Sequence, residues 1–141
     1  MIQTLADQLK SAGYTSKQIN RYDIFTLADN VIIFPEERLG QKRTKHENRF
    51  IIILQNDKDN NDPNIKICTV APLSKGKQFY RLDYLLKKSN HSFLPYDSYV
   101  RIGHVQPVLK TDLITRWGHV SDKSIQNDIQ DRLFLLYGLL I

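Results

Sequence analysis

Several basic or titratable side chains crowd one short stretch: Arg38, Lys42, Arg43, Lys45, His46 and Arg49. Glu47 is the only acid among its last eight residues. A smaller basic group follows further on, where Ser74 precedes Lys75-Gly76-Lys77. Such a loop suits a phosphate backbone, because affinity for nucleic acid comes largely from neutralising backbone charge. The same residues also suit a solvated surface segment. His46 adds a ring able to give and take a proton near neutral pH. Tyr22, Phe25, Tyr80, Tyr84 and Trp117 are candidate stacking platforms for unpaired bases, with a core role as the alternative for each.

Other chemistries find little support. His46, His91, His104 and His119 show no metal-binding spacing, and the single cysteine, Cys68, makes neither a zinc site nor an internal disulfide. Asp57-Lys58-Asp59-Asn60-Asn61-Asp62 begins like a calcium loop. Its sixth position is Asp62 instead of Gly, however, and its twelfth is Cys68 instead of Glu, so a polar turn is expected. There is no P-loop, dinucleotide fingerprint, G-x-S-x-G elbow or paired-carboxylate motif. The reading implies neither metal nor cofactor.

A chain of 141 residues, 41% hydrophobic and 25% charged, is one domain that can bury a core without staples. Its net charge of +5 suits an anionic partner. No apolar run approaches the ~18–20 residues that span a bilayer, and the first residues do not resemble a signal peptide. With one cysteine, the expected location is the cytoplasm, away from membranes.

Residues 1–13 read as a helix with Ile2, Leu5 and Leu9 on one face and Gly13 at its end, and 1–20 form an extension to the main domain, 21–141. Strands are expected over 22–27, 30–34, 50–54, 65–73, 78–86, 98–105 and 114–120. A long loop covers 35–49. Phe50-Ile51-Ile52-Ile53-Leu54 has the continuous β-branched character of a strand buried on both faces. Ser121 is the expected cap of a last helix whose Ile125, Ile129, Leu133 and Leu136 share a face. The expectation is a mainly β, α+β protein: a small, strongly bent barrel with a C-terminal helix and an N-terminal helical extension. The apolar run Leu133-Phe134-Leu135-Leu136-Tyr137 is hard for one small barrel to cover, which suits either a partner subunit or an enclosed final turn.

Arg49-Phe50-Ile51-Ile52-Ile53-Leu54-Gln55-Asn56-Asp57, followed by Val70-Ala71-Pro72-Leu73-Ser74, resembles the core signature of the MazF/PemK family of toxin ribonucleases. The likeness extends upstream to Arg21-Tyr22-Asp23-Ile24-Phe25. Downstream it runs through Asp97-Ser98-Tyr99-Val100-Arg101-Ile102 and Trp117-Gly118-His119-Val120 into the terminal helix. The resemblance implies an SH3-like small barrel of the MazF/PemK/CcdB type, used as a homodimer. It also implies metal-independent, sequence-selective cleavage of single-stranded RNA, an antitoxin that blocks the site, and a DNA-binding complex with that antitoxin.

By the same resemblance, Arg49 is the catalytic arginine, Ser74 stands where the family has a Thr or Ser hydroxyl, and Arg101 matches an arginine of some members. Arg38, Lys42, Arg43, Lys45, Lys75 and Lys77 would hold RNA. Two residues past Arg101 this chain has Gly103 where members usually carry a carboxylate. His46 is therefore the candidate for proton transfer, while strand alternation would turn His104 to the face opposite Arg101. Two other functions fit the barrel: a catalytically impaired module binding RNA or a partner, and a CcdB-like gyrase poison.

Overall fold

The computed structural model describes residues 18–43 and 45–139. The helix expected over 1–13 lies outside these residues. The described chain forms seven strands, β1 Asp23–Ala28, β2 Asn48–Ile53, β3 Ile67–Ser74, β4 Tyr84–Leu86, β5 Ser98–Val100, β6 Gln106–Leu109 and β7 Arg116–His119. Helix α1, Asp57–Asn60, is a single turn, and α2, Lys123–Leu136, closes the domain. The antiparallel sheet runs β4-β5-β3-β2-β1-β7, with β6 paired to β3, and it curls into a half-barrel.

The β-branched run explains the layering. Along β2 the side chains alternate, so Ile51 and Ile53 enter one apolar cluster with Phe25, Leu27, Phe34, Val70 and Leu113. Ile52 enters the other with Ile24, Ala71, Leu73, Val100 and Ile129. All three isoleucines are fully buried, as a strand covered on both faces requires. Ile19 joins the first cluster, so the core extends ahead of β1. α2 lays Ile125, Ile129, Leu133 and Leu136 on the second cluster, the shared face expected from their spacing. Leu135, Tyr137 and Leu139 at its end stay exposed.

Strand β3 holds the half-barrel together. Its first part pairs with β2 on one side and β6 on the other, and its last residues, Leu73 and Ser74, pair with Val100 and Tyr99 of β5. Asp23, fully buried at the start of β1, accepts from the backbone N–H of Asn20 (2.9 Å), Arg116 Nη2 (3.1 Å) and His119 Nδ1 (2.8 Å), which ties β1 to β7.

Several expected elements differ. Asn30 to Phe34 is not a strand, because the chain tightens into a 3-10 turn at Asp29–Val31. Residues 35–49 are not all loop: a 3-10 turn covers Pro35–Leu39, and Asn48 already belongs to β2. Residues 78–83 leave the sheet because Asp83 Oδ2 accepts the backbone N–H groups of Phe79 (3.2 Å) and Tyr80 (3.0 Å), a local turn that competes with strand pairing. β5 ends at Val100 and a 3-10 turn follows at Ile102–His104. The helix cap is Asp122, not Ser121: its carboxylate accepts from the backbone N–H groups of Ser124 and Ile125. At the failed calcium motif, Lys110 Nζ donates to the carbonyls of Asp59 (2.8 Å) and Asp62 (3.0 Å), so an ammonium supplies the local positive charge.

Gly118 allows a close approach. A Cβ there would lie 2.5 Å from Phe93 Cγ. Gly118→Ala is expected to displace that ring and its neighbour Trp117, whose Nε1 donates to the Phe93 carbonyl. The predicted cost is about 1–3 kcal/mol, read as a lower urea midpoint with unchanged m-value.

Candidate active site

The chain closes a cleft of about 440 Å³ where the β1–β2 connection faces the ends of β3 and β5. Its organising group is the Asp29 carboxylate, buried just past β1. Oδ1 accepts from Arg49 Nε at 2.6 Å, and Oδ2 accepts from the backbone N–H of His46 at 2.8 Å. Arg43 Nη2 lies 3.7 Å from Oδ1 and donates to the Asp29 carbonyl (2.8 Å), while Nη1 donates to the Ile32 carbonyl (2.9 Å). One carboxylate thus anchors the returning half of the basic loop. Burial pushes the Asp29 carboxyl up, but the hydrogen bonds from Arg49 and His46 and the charges of Arg49 and Arg43 outweigh it. The group stays below its ordinary value.

With Nε fixed on Asp29, the Arg49 guanidinium points its other edge across the sheet. Nη1 donates to the Leu73 carbonyl (3.0 Å) and reaches Ser74 Oγ (3.4 Å). Arg101 follows β5, its backbone N–H on the Pro72 carbonyl at 2.9 Å, and its Nη1 reaches the same Ser74 Oγ at 3.4 Å. Both arginines are buried. Asp83 holds Arg101 from behind, with Oδ2 3.6 Å from Nε. Burial lowers the Arg101 pKa, as does Arg49, against the opposing pull of Asp83 and Glu36; a guanidinium keeps its charge regardless.

An aromatic floor lies beneath. The Phe34 ring centroid is 4.8 Å from Arg43 Cζ, 5.0 Å from Arg49 Cζ and 5.6 Å from Arg101 Cζ, so one quadrupole faces three cations. Phe79, largely exposed, covers Arg101 at 4.6 Å. At the rim, His104 packs at a tilt against Phe34 (5.0 Å between centroids, 48° between planes) and binds the Glu36 carboxylate through Nε2 at 2.7 and 2.8 Å. The expectation that His104 faces away from Arg101 fails, because the chain has left β5 and period-two alternation no longer applies. Both side chains rest on Phe34. Gly103 packs against Tyr80 instead of continuing a strand face.

Arg49, Ser74, Arg101, His46, Lys42, Arg43 and Lys75 line this one cleft. Arg38 and Lys45 line a neighbouring hollow, which Arg43 and His46 also border. Lys77 is exposed and lines neither. Among the aromatics, Tyr22 and Phe25 are core, Tyr84 bonds Asp128 through its hydroxyl, and Trp117 lies half-exposed against Phe50. Asp29, Phe34, Glu36, Phe79, Asp83 and His104 complete the site and were not read as parts of it. The one available signal was the charge balance, since a basic loop folded into a buried site needs carboxylates to neutralise it.

The cleft brings two guanidiniums, a hydroxyl and an imidazole onto one wall, a donor set for a phosphodiester. The family model that describes PemK-like, MazF-like toxins of type II toxin-antitoxin systems matches residues 20–135. The chain belongs to that family. Its fold is shared with solved PemK/MazF-like structures at low sequence identity. Mycobacterium tuberculosis toxin MazF-mt6 superposes with a TM-score of 0.63 at 16% identity, covering 84% of this chain and 99% of that one. MazE-MazF from Deinococcus radiodurans gives 0.63 at 10% identity, covering 89% and 100%. A mycobacterial endoribonuclease in complex with its cognate antitoxin gives 0.62 at 14%, covering 89% and 99%. No curated protein matches the sequence. In this member of the PemK/MazF-like family, the resemblance read from Arg49 and Ser74 coincides with two side chains that meet in space.

Proposed function

We propose that the chain is a metal-independent, sequence-selective endoribonuclease toxin that cleaves single-stranded RNA, mRNA included. It acts in the cytoplasm as a homodimer, and a cognate antitoxin restrains it. The observation that carries the reading is the convergence of Arg49 and Arg101 on Ser74 Oγ at the floor of a basic cleft. That hydroxyl accepts from both cations and keeps its own proton to donate to a phosphate oxygen. The guanidiniums offset the charge that grows on the equatorial oxygens as the 2′-hydroxyl attacks phosphorus, a charge worth most to stabilise in a preorganised, partly dry site. His46 is exposed at the edge with its backbone pinned to Asp29, free to protonate the leaving 5′-oxygen. Lys42, Lys75 and Lys77, with Arg38 and Lys45 on the adjoining hollow, hold the flanking phosphates. Arg43 serves mainly as the clamp on Asp29 and Ile32. The exposed end of α2 suits the subunit interface.

The test is incubation with a long RNA in excess EDTA, with the ends analysed. Fragments with 2′,3′-cyclic phosphate and 5′-hydroxyl termini at a recurrent short motif are expected, and a 2′-deoxy residue at the cut site blocks cleavage. Intact RNA sinks the reading. Ser74→Ala is expected to lower the rate ~10–100-fold with the melting temperature nearly unchanged, since the hydroxyl is only part-buried and both arginines keep other partners.

A further inference from the structure

We propose that Glu36, held in place by His104, is the proton acceptor of the cleavage step, with His46 as the proton donor. The proposal rests on the nuclease reading above and adds to it the base that Gly103 does not supply. Arg49, Arg101 and Ser74 carry phosphate and charge, but they do not remove a proton at neutral pH. Glu36 is a carboxylate that lines the same cleft. It lies on the 3-10 turn Pro35–Leu39, directly after Pro35 and two residues past the Phe34 floor.

His104 fixes its orientation. Nε2 lies within 2.8 Å of both Glu36 oxygens, and the ring packs tilted against Phe34. Nδ1 is buried with no hydrogen-bond partner among the described residues. Because Nε2 faces two carboxylate oxygens, which can only accept, it carries a proton and donates it to Glu36. His104 is thereby turned away from substrate and is a positioning residue. Glu36 in turn lies in the field of Arg101, whose Nη1 reaches Ser74. Glu37, the neighbouring acid, is engaged by Arg43 Nε at 3.2 Å. Asp29 and Asp83 are buried beneath their arginines. Glu37 also lines the cleft but is paired with the Arg43 guanidinium, whereas Glu36 is aimed by an imidazole through both of its oxygens.

The step balances. The Glu36 carboxylate takes the 2′-hydroxyl proton as O2′ bonds to phosphorus. The bond from phosphorus to O5′ breaks, and O5′ takes a proton from the imidazolium of His46. The products are a cyclic phosphate and a 5′-hydroxyl, and one proton exchange with solvent restores both groups. The charged groups around Glu36 are His104 and Arg101 from the β5 end, Arg49 from β2 and Lys75 after β3. From its own loop come Glu37, Lys42 and Arg43. Burial raises the Glu36 carboxyl, but hydrogen bonds from His104 and its own backbone N–H, with the charges of His104 and Arg101, hold it below the usual range. It is therefore ionised and ready to accept at working pH.

The experiment compares the full chain with Glu36→Gln, His104→Leu and His46→Ala on two RNA oligonucleotides. One carries a normal linkage at the cut site. The other carries a bridging 5′-sulfur, which leaves without an acid. Glu36→Gln is expected to lower kcat ~100-fold on both substrates, flatten the rise of rate with pH, and bind the 2′-deoxy oligonucleotide at least as tightly as the parent. His46→Ala is expected to recover on the sulfur substrate. His104→Leu is expected to move the rising limb to higher pH, because Glu36 loses the hydrogen bond that lowers its pKa. A Glu36→Gln variant that cuts the normal linkage at the parental rate, or that recovers on the sulfur substrate, overturns the assignment while leaving the nuclease intact. A parental chain that leaves RNA whole overturns the nuclease reading and this assignment with it.

Discussion

Arg49→Ala is expected to reduce RNA cleavage ~100–1,000-fold, the loss typical of removing one preorganised donor from a transition-state site. The geometry makes this residue hard to replace. Its Nε is committed to Asp29 at 2.6 Å while Nη1 spans to Leu73 and Ser74, so one rigid fork bridges β1, β2 and β3. Arg49→Lys keeps the charge but has a single point of contact, and it cannot reach both ends. We expect the lysine variant to recover little activity. Rates from single-turnover cleavage, with melting curves for each variant, check this. An Arg49→Lys protein that cuts at the parental rate shows that charge alone suffices and that the fork is irrelevant.

The largest effect on stability is expected at Asp29. Replacing it by Ala leaves the buried Arg49 without a counter-charge, removes one anion from Arg43 and frees the backbone N–H of His46. Breaking one side of a buried pair costs about 3–5 kcal/mol, and urea unfolding reads it directly. The pH dependence has a definite sign. A carboxyl held below its unfolded value contributes stability that is fully present above that value and is lost as pH falls through the lower folded value. The parental protein therefore loses this contribution in acid, below the ordinary aspartate range. Asp29→Asn has no such carboxyl to protonate, so its stability gap to the parent narrows as pH falls through that window. A gap independent of pH contradicts the ion-pair account of Asp29.

The sequence makes some of this architecture visible and hides the rest for physical reasons. Phe50 to Leu54 announces a strand buried on both faces because five consecutive apolar residues leave no polar side to hydrate. Arg49 and Ser74 are picked out by the family resemblance of the two strands they flank; strand pattern alone would leave each a surface or turn residue. β6 escapes notice because Pro107 forbids a central strand; it is tolerated here since, among the described strands, β6 pairs with β3 alone. Phe79 and Tyr80 look like strand residues by propensity, and the Asp83 carboxylate overrides that preference by capturing their backbone N–H groups. The carboxylates of the cleft are hidden for another reason. Asp29, Glu36 and Asp83 reach their cationic partners only through tertiary contacts, and no local spacing encodes which acid meets which arginine.

The path of β3, shared between β2 and β6 and then handed to β5, has a consequence for the life of the chain. Its last residue meets Arg49 from one neighbour and Arg101 from a segment made later, so a ribosome-bound fragment ending before residue 101 lacks one of the two guanidiniums of the cleft. On the nuclease proposal, cutting activity is expected to appear only after the final third of the polypeptide has emerged and docked, which would spare the message that encodes it during synthesis.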